Sequence, residues 1–374
     1  MKESVQDLQP KKITGLQFSA LSPLEIRKQS EVEIITRDLF DLEKGRSPMS
    51  QGALDTHMGV SSNATECGVC HGNLATCHGH FGHVKLSLPV FHVGYFKATI
   101  QMLQCICKSC GGVLLDDATK AKFKEELRRP GIDNLKRMQI VKKIVEQCKK
   151  QRRCFECGAV NGVVKKAGSG GGPASLKILH DTFRYIGKKP TYEKGEWDKD
   201  LDAAVDAAPD LEKFIKRSVD DLNPLKVLNL FKQVKPEDCE LLGIDSAKGG
   251  RPEMYIWRYL PAPPVCIRPS VMMSDSPMSN EDDLTVKLTE IVWTSSLIKA
   301  GIEKGISINN LMEQWDYMQL SVAMYINSDA ANPALMPSPG GGGGAGGGAG
   351  GGGGASKSAK PIRGFCQRLK GKQG

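Results

Sequence analysis

Residues 67–80 constrain the fold most, because cysteine and histidine recur there at the spacing of a metal-binding knuckle. Two short pairs supply four potential ligands: Cys67, Cys70, Cys77 and His80. Sulfur and nitrogen ligands at this spacing suit tetrahedral zinc. The alternative interpretation, a cluster of buried free cysteines, does not explain the regular spacing. A cross-brace RING site is excluded, since Phe81-Gly82-His83 stands where another Cys-x2-Cys pair would have to follow. We therefore predict one closed zinc site here.

A second zinc site is predicted from two further Cys-x2-Cys pairs, because one pair supplies only two of the four ligands required. The ligands are Cys107, Cys110, Cys154 and Cys157. Helices are predicted between the pairs, over residues 118–129 and 134–150. The apolar face of the second helix comprises Leu135, Met138, Val141, Ile144, Val145 and Cys148. Cys148 is thus interpreted as a core residue, but it remains an alternative to Cys157 as the fourth ligand.

The cysteine content indicates the cellular compartment, and the distribution of charge indicates the kind of binding partner. Twelve of the 374 residues are cysteine, and the polar residues 1–7 do not resemble a secretory signal, so we expect a reducing compartment, cytosol or nucleus. The sequence has no run of about eighteen apolar residues, which a membrane-spanning helix would need.

The net charge is +9 and is unevenly distributed along the chain. Residues 120–166 contain fifteen Lys and Arg against five acidic residues, and residues 357–372 contain six Lys and Arg and no acidic residue. A polyanion or an acidic partner could bind there, and a merely solvated helix face is equally consistent with residues 120–166.

The remaining pattern predicts a mixed α+β fold with several helices, small strands and a long antiparallel helical hairpin. Ser22-Pro23-Leu24-Glu25 is a capping box that begins a helix through about residue 30. Residues 31–39 and 84–91 alternate as strands. Two long helices joined by a few residues form the hairpin. Seven segments result: the N-terminal segment 1–60, the core 61–166 with both zinc sites and basic helices, the flexible loop and helical unit 167–260, the Pro-rich segment and polar loop 261–283, the hairpin 281–327, the loop 328–362 with its Gly/Ala run, and the basic tail 363–374.

Several motifs together resemble the N-terminal clamp region of the largest subunit of multisubunit DNA-directed RNA polymerases. They are Cys67-x2-Cys70-x6-Cys77-x2-His80 followed by Gly82-His83, Leu88-Pro-Val-Phe-His92, Cys107-x2-Cys110, Pro264-Val-Cys-Ile-Arg-Pro-Ser270, Glu281-Asp-Asp-Leu-Thr-Val-Lys-Leu288 and Arg368-Leu-Lys-Gly-Lys-Gln-Gly374. The resemblance covers nearly the whole chain. Cys154-x2-Cys157 with Asn161-Gly, and Asn223-Pro-Leu225, are more similar to the RNA polymerase III version, fungal in type, than to the polymerase II version.

The resemblance implies a role for each segment. The zinc sites would brace a mobile clamp over the DNA cleft, residues 270–282 would be the lid, and the hairpin would be gripped by initiation and elongation factors. The Gly/Ala run would lie in the rudder loop. Template phosphates would be held by Arg363, Arg368, Lys370 and Lys372.

The resemblance also implies an activity, a location and partners. The enzyme would synthesise tRNA and 5S rRNA in the nucleus, and its partners would be template DNA, the DNA/RNA hybrid, and the second-largest and other polymerase III subunits. Nucleotidyl transfer needs carboxylates that hold two Mg²⁺ ions, and the family's Asn-Ala-Asp-Phe-Asp-Gly-Asp loop does not occur in this sequence. We therefore expect no catalytic residue here, Mg²⁺ to be bound outside this chain, and the chain to be the first part of a longer subunit.

Two other functions are consistent with fewer of these features. A free-standing zinc protein could bind nucleic acid through residues 120–166 without any polymerase. A zinc hydrolase would need an open metal position and a carboxylate base, whereas each predicted site is closed by four protein ligands.

Overall fold

A computed structural model of the chain describes residues 14, 20–62, 65–167, 176–182, 196–245, 250–272, 279–331 and 362–370. Its helices are α1 Pro23–Gln29, α2 Phe96–Cys105, α3 Asp117–Arg128, α4 Asn134–Lys150, α5 Glu196–Ala207, α6 Leu211–Arg217, α7 Pro224–Gln233, α8 Asp283–Lys304, α9 Ile308–Ile326, α10 Ser328–Ala331 and α11 Phe365–Leu369. Its strands are β1 Ser30–Glu33, β2 Phe40–Asp41, β3 Ser47–Pro48, β4 Phe81–Phe91, β5 Val163–Lys166, β6 Ile178–Asp181, β7 Val219–Asp221, β8 Ile256–Ala262, β9 Val271–Met272 and β10 Ser279–Asn280. The predicted mixed α+β class is confirmed.

Local sequence sets the ends of the first two elements. At the start of α1, the Ser22 hydroxyl accepts from the N–H of Glu25, and the Glu25 carboxylate accepts from the N–H of Ser22. This capping box satisfies two donors at the helix start, and the predicted helix is confirmed. β1 ends well before the predicted residue 39, because the N–H of Ile35 donates to the carbonyl of Gln51 instead of continuing the strand.

β4 is the central strand of the main sheet, whose order is β1-β4-β8. β1 runs parallel to β4 and pairs Ser30 with Phe81, whereas β8 runs antiparallel and pairs Leu260 with Val84. The predicted strand over residues 84–91 is confirmed and begins three residues earlier. A second sheet has the order β5-β6-β7, and β2-β3 and β9-β10 form two short ladders.

The buried apolar residues form two separate clusters. The first core is built on α2, α3, α4 and α7, with the representative residues Leu103, Phe123, Ile144 and Phe231. The second core is built between the main sheet and α8 and α9, with the representative residues Val84, Leu260, Leu288 and Val322. β4 contributes to both cores, since Val90 belongs to the second and the adjacent Phe91 to the first.

The helical hairpin consists of α8 and α9 packed against each other, as predicted. Asp282 caps α8 by accepting from the N–H of Leu284, and Gly305 ends it with φ = 67°, a conformation that glycine adopts without steric cost. Ser307 caps α9. The indole N–H of Trp315 donates to the carbonyl of Pro89 at 2.8 Å, which fixes the hairpin to β4.

Some expectations differ from the structure or fall outside it. α5 was not predicted, and the N-terminal part of the apolar face of α4 is not buried, because Leu135 is 68% and Met138 59% exposed. Residues 273–278, the middle of the predicted lid-like loop, and the Gly/Ala run lie outside the described residues. Among the helices that are described, none has the length and apolar character needed to cross a bilayer.

Candidate metal centres and basic tail

The first candidate metal centre brings together the four ligands predicted in residues 67–80. Their ligand atoms all lie within 4.8 Å of one another: Cys67, Cys70, Cys77 and His80. Backbone N–H groups approach two of the sulfurs, Val69 at 3.5 Å from Cys67 Sγ and Gly79 at 3.4 Å from Cys77 Sγ. Nε2 of His80 is buried and has no hydrogen-bond partner within the described residues. Buried polar atoms are normally satisfied, so a metal ion bound to Nε2 of His80 would supply the missing partner.

The second candidate metal centre is an all-cysteine group whose sulfurs also lie within 4.8 Å of one another: Cys107, Cys110, Cys154 and Cys157. Sγ of Cys107 is 3.6 Å from Sγ of Cys157, and Sγ of Cys110 is 3.6 Å from Sγ of Cys154. A tetrahedron of sulfurs about 2.3 Å from zinc has edges of about 3.8 Å. The observed separations therefore fit a closed four-coordinate site, and both groups could hold a metal ion.

Cys157 and Cys148 occupy different environments. Cys157 is exposed and belongs to the second group, whereas Cys148 is 1% exposed in the first core and lies outside that group. A hydrogen bond with Cys105, together with burial, raises the pKa of the Cys148 thiol. Because Cys157, and not Cys148, has its sulfur within 4.8 Å of the other three ligand atoms, the geometry favours Cys157 as the fourth ligand.

The three Cys-x2-Cys turns share one backbone form. In each, the residue four positions after the first cysteine donates its N–H to that cysteine's carbonyl, at 3.0 Å for His71, 3.1 Å for Gly111 and 3.0 Å for Gly158. These three residues have φ values of 55°, 72° and 70°. Glycine takes this left-handed conformation freely, whereas the Cβ of His71 makes it less favourable. The repeated turn presents both cysteine sulfurs to the same point.

Hydrogen bonds favour the thiolate form at two ligands. The side chain of His80 and a backbone N–H lower the pKa of Cys70 to about 6. At Cys107, burial raises the pKa, but the N–H of Cys110 and the amide of Asn161 outweigh it and the pKa falls to about 6. The thiolate is the form that binds metal, so hydrogen bonding favours the ligand form at Cys70 and Cys107, whereas burial raises the pKa of Cys77 and Cys110.

Asn161 is a supporting residue that the ligand spacing does not reveal. Its side chain is 3% exposed, its amide nitrogen donates to Sγ of Cys107 at 3.4 Å, and its oxygen accepts from the N–H of Lys108 at 3.0 Å. Such outer contacts orient the metal ligands. The only sequence signal is the Asn161-Gly162 dipeptide that follows the knuckle, a typical turn pair.

The first centre is packed tightly against the end of the main sheet. Gly79 has φ = 81°, and a Cβ there would lie 2.5 Å from Cβ of Pro264. On the other side, the N–H of His80 donates to the carbonyl of Met58, and Gly68 donates to that of Thr56. The metal loop therefore joins residues 56–58 to the Pro-rich segment after β8.

The basic tail lies against the base of the hairpin. Arg368 pairs with Asp282, the capping residue of α8, and Lys370 lies 3.5 Å from Asp329. Arg363 is exposed, and Lys372 lies outside the described residues. The ring of Phe365 meets that of Tyr325 edge-on at 5.0 Å. The structure thus brings Arg368 and Lys370 to carboxylates of this chain, which the sequence did not predict.

Comparison with known proteins identifies the family. A family model described as RNA polymerase Rpb1, domain 1, matches residues 10–339. DNA-directed RNA polymerase III subunit RPC1 of Debaryomyces hansenii is 74% identical over 374 residues, which are all of this chain and 25% of that protein. The subunit of the same name is 67% identical in Saccharomyces cerevisiae, over 100% of this chain and 25% of the relative, and 38% identical in Homo sapiens, over 97% and 24%. The chain spans about a quarter of the length of these curated relatives. It belongs to the RNA polymerase Rpb1 domain 1 family.

Proposed function

We propose that the chain is the N-terminal clamp portion of the largest subunit of a nuclear DNA-directed RNA polymerase III, which synthesises tRNA and 5S rRNA. The observation that carries the proposal is the 74% and 67% identity with two yeast subunits of that name over every residue of the chain. Nucleotidyl transfer belongs to the whole assembly, with Mg²⁺ held outside these residues. A free-standing zinc protein is not favoured, because the similarity extends far beyond the two cysteine groups.

Both metal centres are structural Zn²⁺ sites in this proposal. Zinc suits closed sets of four sulfur and nitrogen ligands, and such sites stabilise a fold rather than activate water. Metal analysis of the reduced chain should give two zinc ions, one for each group. Cys157→Ser should remove one of them, whereas the matched variant Cys148→Ser should keep both. Zinc loss in Cys148→Ser and not in Cys157→Ser would reverse the assignment of the fourth ligand.

The segment roles follow the same proposal. The two zinc sites brace the clamp, the loop 270–282 acts as the lid, and the hairpin 281–327 binds initiation and elongation factors. Other polymerase III subunits, template DNA and the DNA/RNA hybrid are the remaining partners. We propose that the chain is divided into the seven segments given by the sequence.

Template phosphates are proposed to contact Arg363, Arg368, Lys370 and Lys372. The exposure of Arg363 and Lys370 supports this role. Arg368 and Lys370 pair with Asp282 and Asp329, so a phosphate would compete with these carboxylates. In the assembled enzyme, Arg363→Gln with Lys370→Gln should weaken template retention and reduce its dependence on salt, because fewer counterions are released when fewer phosphates are neutralised. Lys28→Gln, an exposed change on α1, is the control. Equal salt sensitivity of both variants would contradict the assignment.

A chimeric subunit tests the function as a whole. The segment of the Saccharomyces cerevisiae subunit that matches this chain would be replaced by residues 1–374, and tRNA and 5S rRNA synthesis would be measured in cells that depend on the chimera. We expect synthesis close to that of the parent subunit, since about two thirds of the residues are identical. A chimera that assembles but does not transcribe these genes would overturn the proposal.

A further inference from the structure

The first half of α4 exposes apolar and cationic side chains on the same surface. Leu135 and Met138 are 68% and 59% exposed, and Lys142 follows Met138 by one helical turn. Residues three and four apart share a helix face, so these three side chains lie together. The surface continues into the first core through Val141, which is partly buried against it.

The cations of α4 differ from those of the neighbouring α3. On α3, Lys120 lies 3.1 Å from Glu156, Lys124 lies 2.8 Å from Asp238, and Arg128 lies 2.6 Å from Glu240. On α4, four cations are exposed, and no carboxylate of the described residues lies within ion-pair distance of them: Lys136, Arg137, Lys142 and Lys143. Three of the four cations of α3 are thus paired within the chain, and Lys122 is exposed without an ion pair to the described residues, whereas all four of these α4 cations are available to a partner.

A small cavity, lined mainly by apolar residues, adjoins this surface. It has a volume of about 110 Å³ and lies between α2, α4 and the residues around Leu242, with Val141, Val145 and Met102 in its wall. Small-molecule sites usually have about 300–1,000 Å³, so the cavity is too small for a cofactor. Its size and lining suit one apolar side chain that is inserted from outside.

We propose that the first half of α4 binds an acidic amphipathic segment of another protein. Apolar side chains of the segment would cover Leu135 and Met138, one of them entering the cavity, and its carboxylates would pair with the surrounding cations. Charge complementarity specifies the sign of the partner, and the two exposed apolar anchors explain why it must be amphipathic. Nucleic acid would use the cations but gain little from Leu135 and Met138, since it binds through phosphates and stacked bases.

A binding measurement on the purified chain of 374 residues tests the proposal without any polymerase activity. The probe is a fluorescent peptide of about 18 residues, five helical turns, with leucine on one face and glutamate on the other. A second peptide has the same composition in an order that gives no apolar face, and a duplex DNA of similar charge is the third probe. We expect the amphipathic peptide to bind about tenfold more tightly than the other two.

Variants locate the binding surface. Leu135→Ser with Met138→Ser should weaken peptide binding about tenfold, and Lys136→Glu with Lys142→Glu should weaken it similarly and reduce its salt dependence. All four side chains are exposed, so folding should be retained, which circular dichroism would check. Lys28→Glu on α1, which packs against β8 and β1, is the charge control and should bind normally. Equal binding of the two peptides, tighter binding of the duplex, or unchanged binding by both α4 variants would overturn the proposal.

Discussion

Arg268 is the largest fully buried side chain of the described residues. Its guanidinium donates to the carbonyls of Pro263 and Ala53 and, at 3.2 Å, to the hydroxyl of Thr285 on α8. Burial lowers the pKa of Arg268 to about 10, so the side chain is still charged at neutral pH. One side chain therefore joins the segment after β8, the loop around Ala53 and the first turn of the hairpin.

Replacing Arg268 by methionine should destabilise the chain strongly. Arg268→Met would leave the carbonyls of Ala53 and Pro263 buried without donors, which costs about 2–4 kcal/mol of unfolding free energy in total. Urea denaturation followed by tryptophan fluorescence measures this cost. Arg258→Met on β8 removes an exposed arginine and should change the unfolding free energy by less than about 0.5 kcal/mol. Equal effects of the two variants would show that the buried contacts contribute little.

His92 should make stability depend on pH. Burial lowers its pKa to about 4, from about 6.5 in the unfolded chain. Between about pH 6.5 and about pH 4 the unfolded chain therefore binds a proton at His92 that the folded chain does not bind. The free energy of unfolding consequently falls by up to about 3 kcal/mol as pH falls from about 6.5 to about 4. His92→Asn keeps an acceptor for the N–H of Gly94 but cannot titrate. The stability difference between parent and variant, measured by denaturation at each pH, should shrink towards pH 4, and a constant difference would contradict the argument.

At the residue scale, the sequence reveals what depends on short spacing and misses what depends on distant contacts. The eight cysteine and histidine residues could be assigned to two spatial groups because each pair lies within one turn. Asn161 and Arg268 could not, because the sulfur of Cys107 and the carbonyl of Ala53 reach them only after folding. For the same reason, the charge pattern did not reveal that Arg368 pairs with Asp282.

At the scale of elements, the hairpin contains a nearly buried ion pair. Lys287 is 6% exposed, and its Nζ lies 2.7 Å from Oε2 of Glu290 on the same helix. The hydroxyl of Ser321 on α9 donates to Oε1 of Glu290 at 2.6 Å. Burial raises the pKa of Glu290, but the hydrogen bonds from Lys287 and Ser321 outweigh it and keep the pKa below its usual value. The charged pair therefore joins the two helices.

Removing only one partner of this pair should be worse than removing both. Glu290→Leu would leave Lys287 buried without its carboxylate and should cost about 2–3 kcal/mol of unfolding free energy, a value reduced for the partial exposure of Glu290. Adding Lys287→Met should restore most of the loss, because two apolar side chains then pack where the ion pair was. Urea denaturation of the parent, both single variants and the double variant gives the coupling energy. An additive double variant would show that the two side chains do not interact.

Helix ends were predictable wherever a cap is local. Ser22, Asp282, Gly305 and Ser307 mark the limits of α1, α8 and α9 through contacts within a few residues. α5 was missed although Trp197, Leu201 and Val205 recur at steps of four residues, which is a helical period within an acidic sequence. On α4 the helical period of the apolar residues was visible in the sequence, but the extent to which other elements cover that face was not. Ile144 is buried, whereas Leu135 on the same helix is exposed.

At the scale of the whole molecule, the order of the strands in the main sheet could not be predicted from the sequence. β4 was recognisable as a strand, but its parallel pairing with β1 and antiparallel pairing with β8 depend on segments that lie far apart in the chain. The two candidate metal groups lie in different parts of the fold. The first joins residues 56–58 to the Pro-rich segment, and the second has Cys107 and Cys154 within the first core.

In the proposed zinc-bound chain, loss of each metal should therefore loosen a different region. A structural zinc can contribute on the order of 10 kcal/mol to its module, so Cys77→Ser should increase hydrogen exchange in residues 60–83 and around Pro264. Cys157→Ser should instead increase exchange in residues 105–114 and 152–162, which surround the second group. Exchange followed by mass spectrometry resolves these segments, and regions that open locally should leave the other core protected. If Cys77→Ser increased exchange in α2, α3 and α4 as much as in residues 60–83, the two cores would unfold as one unit and the division between them would be wrong.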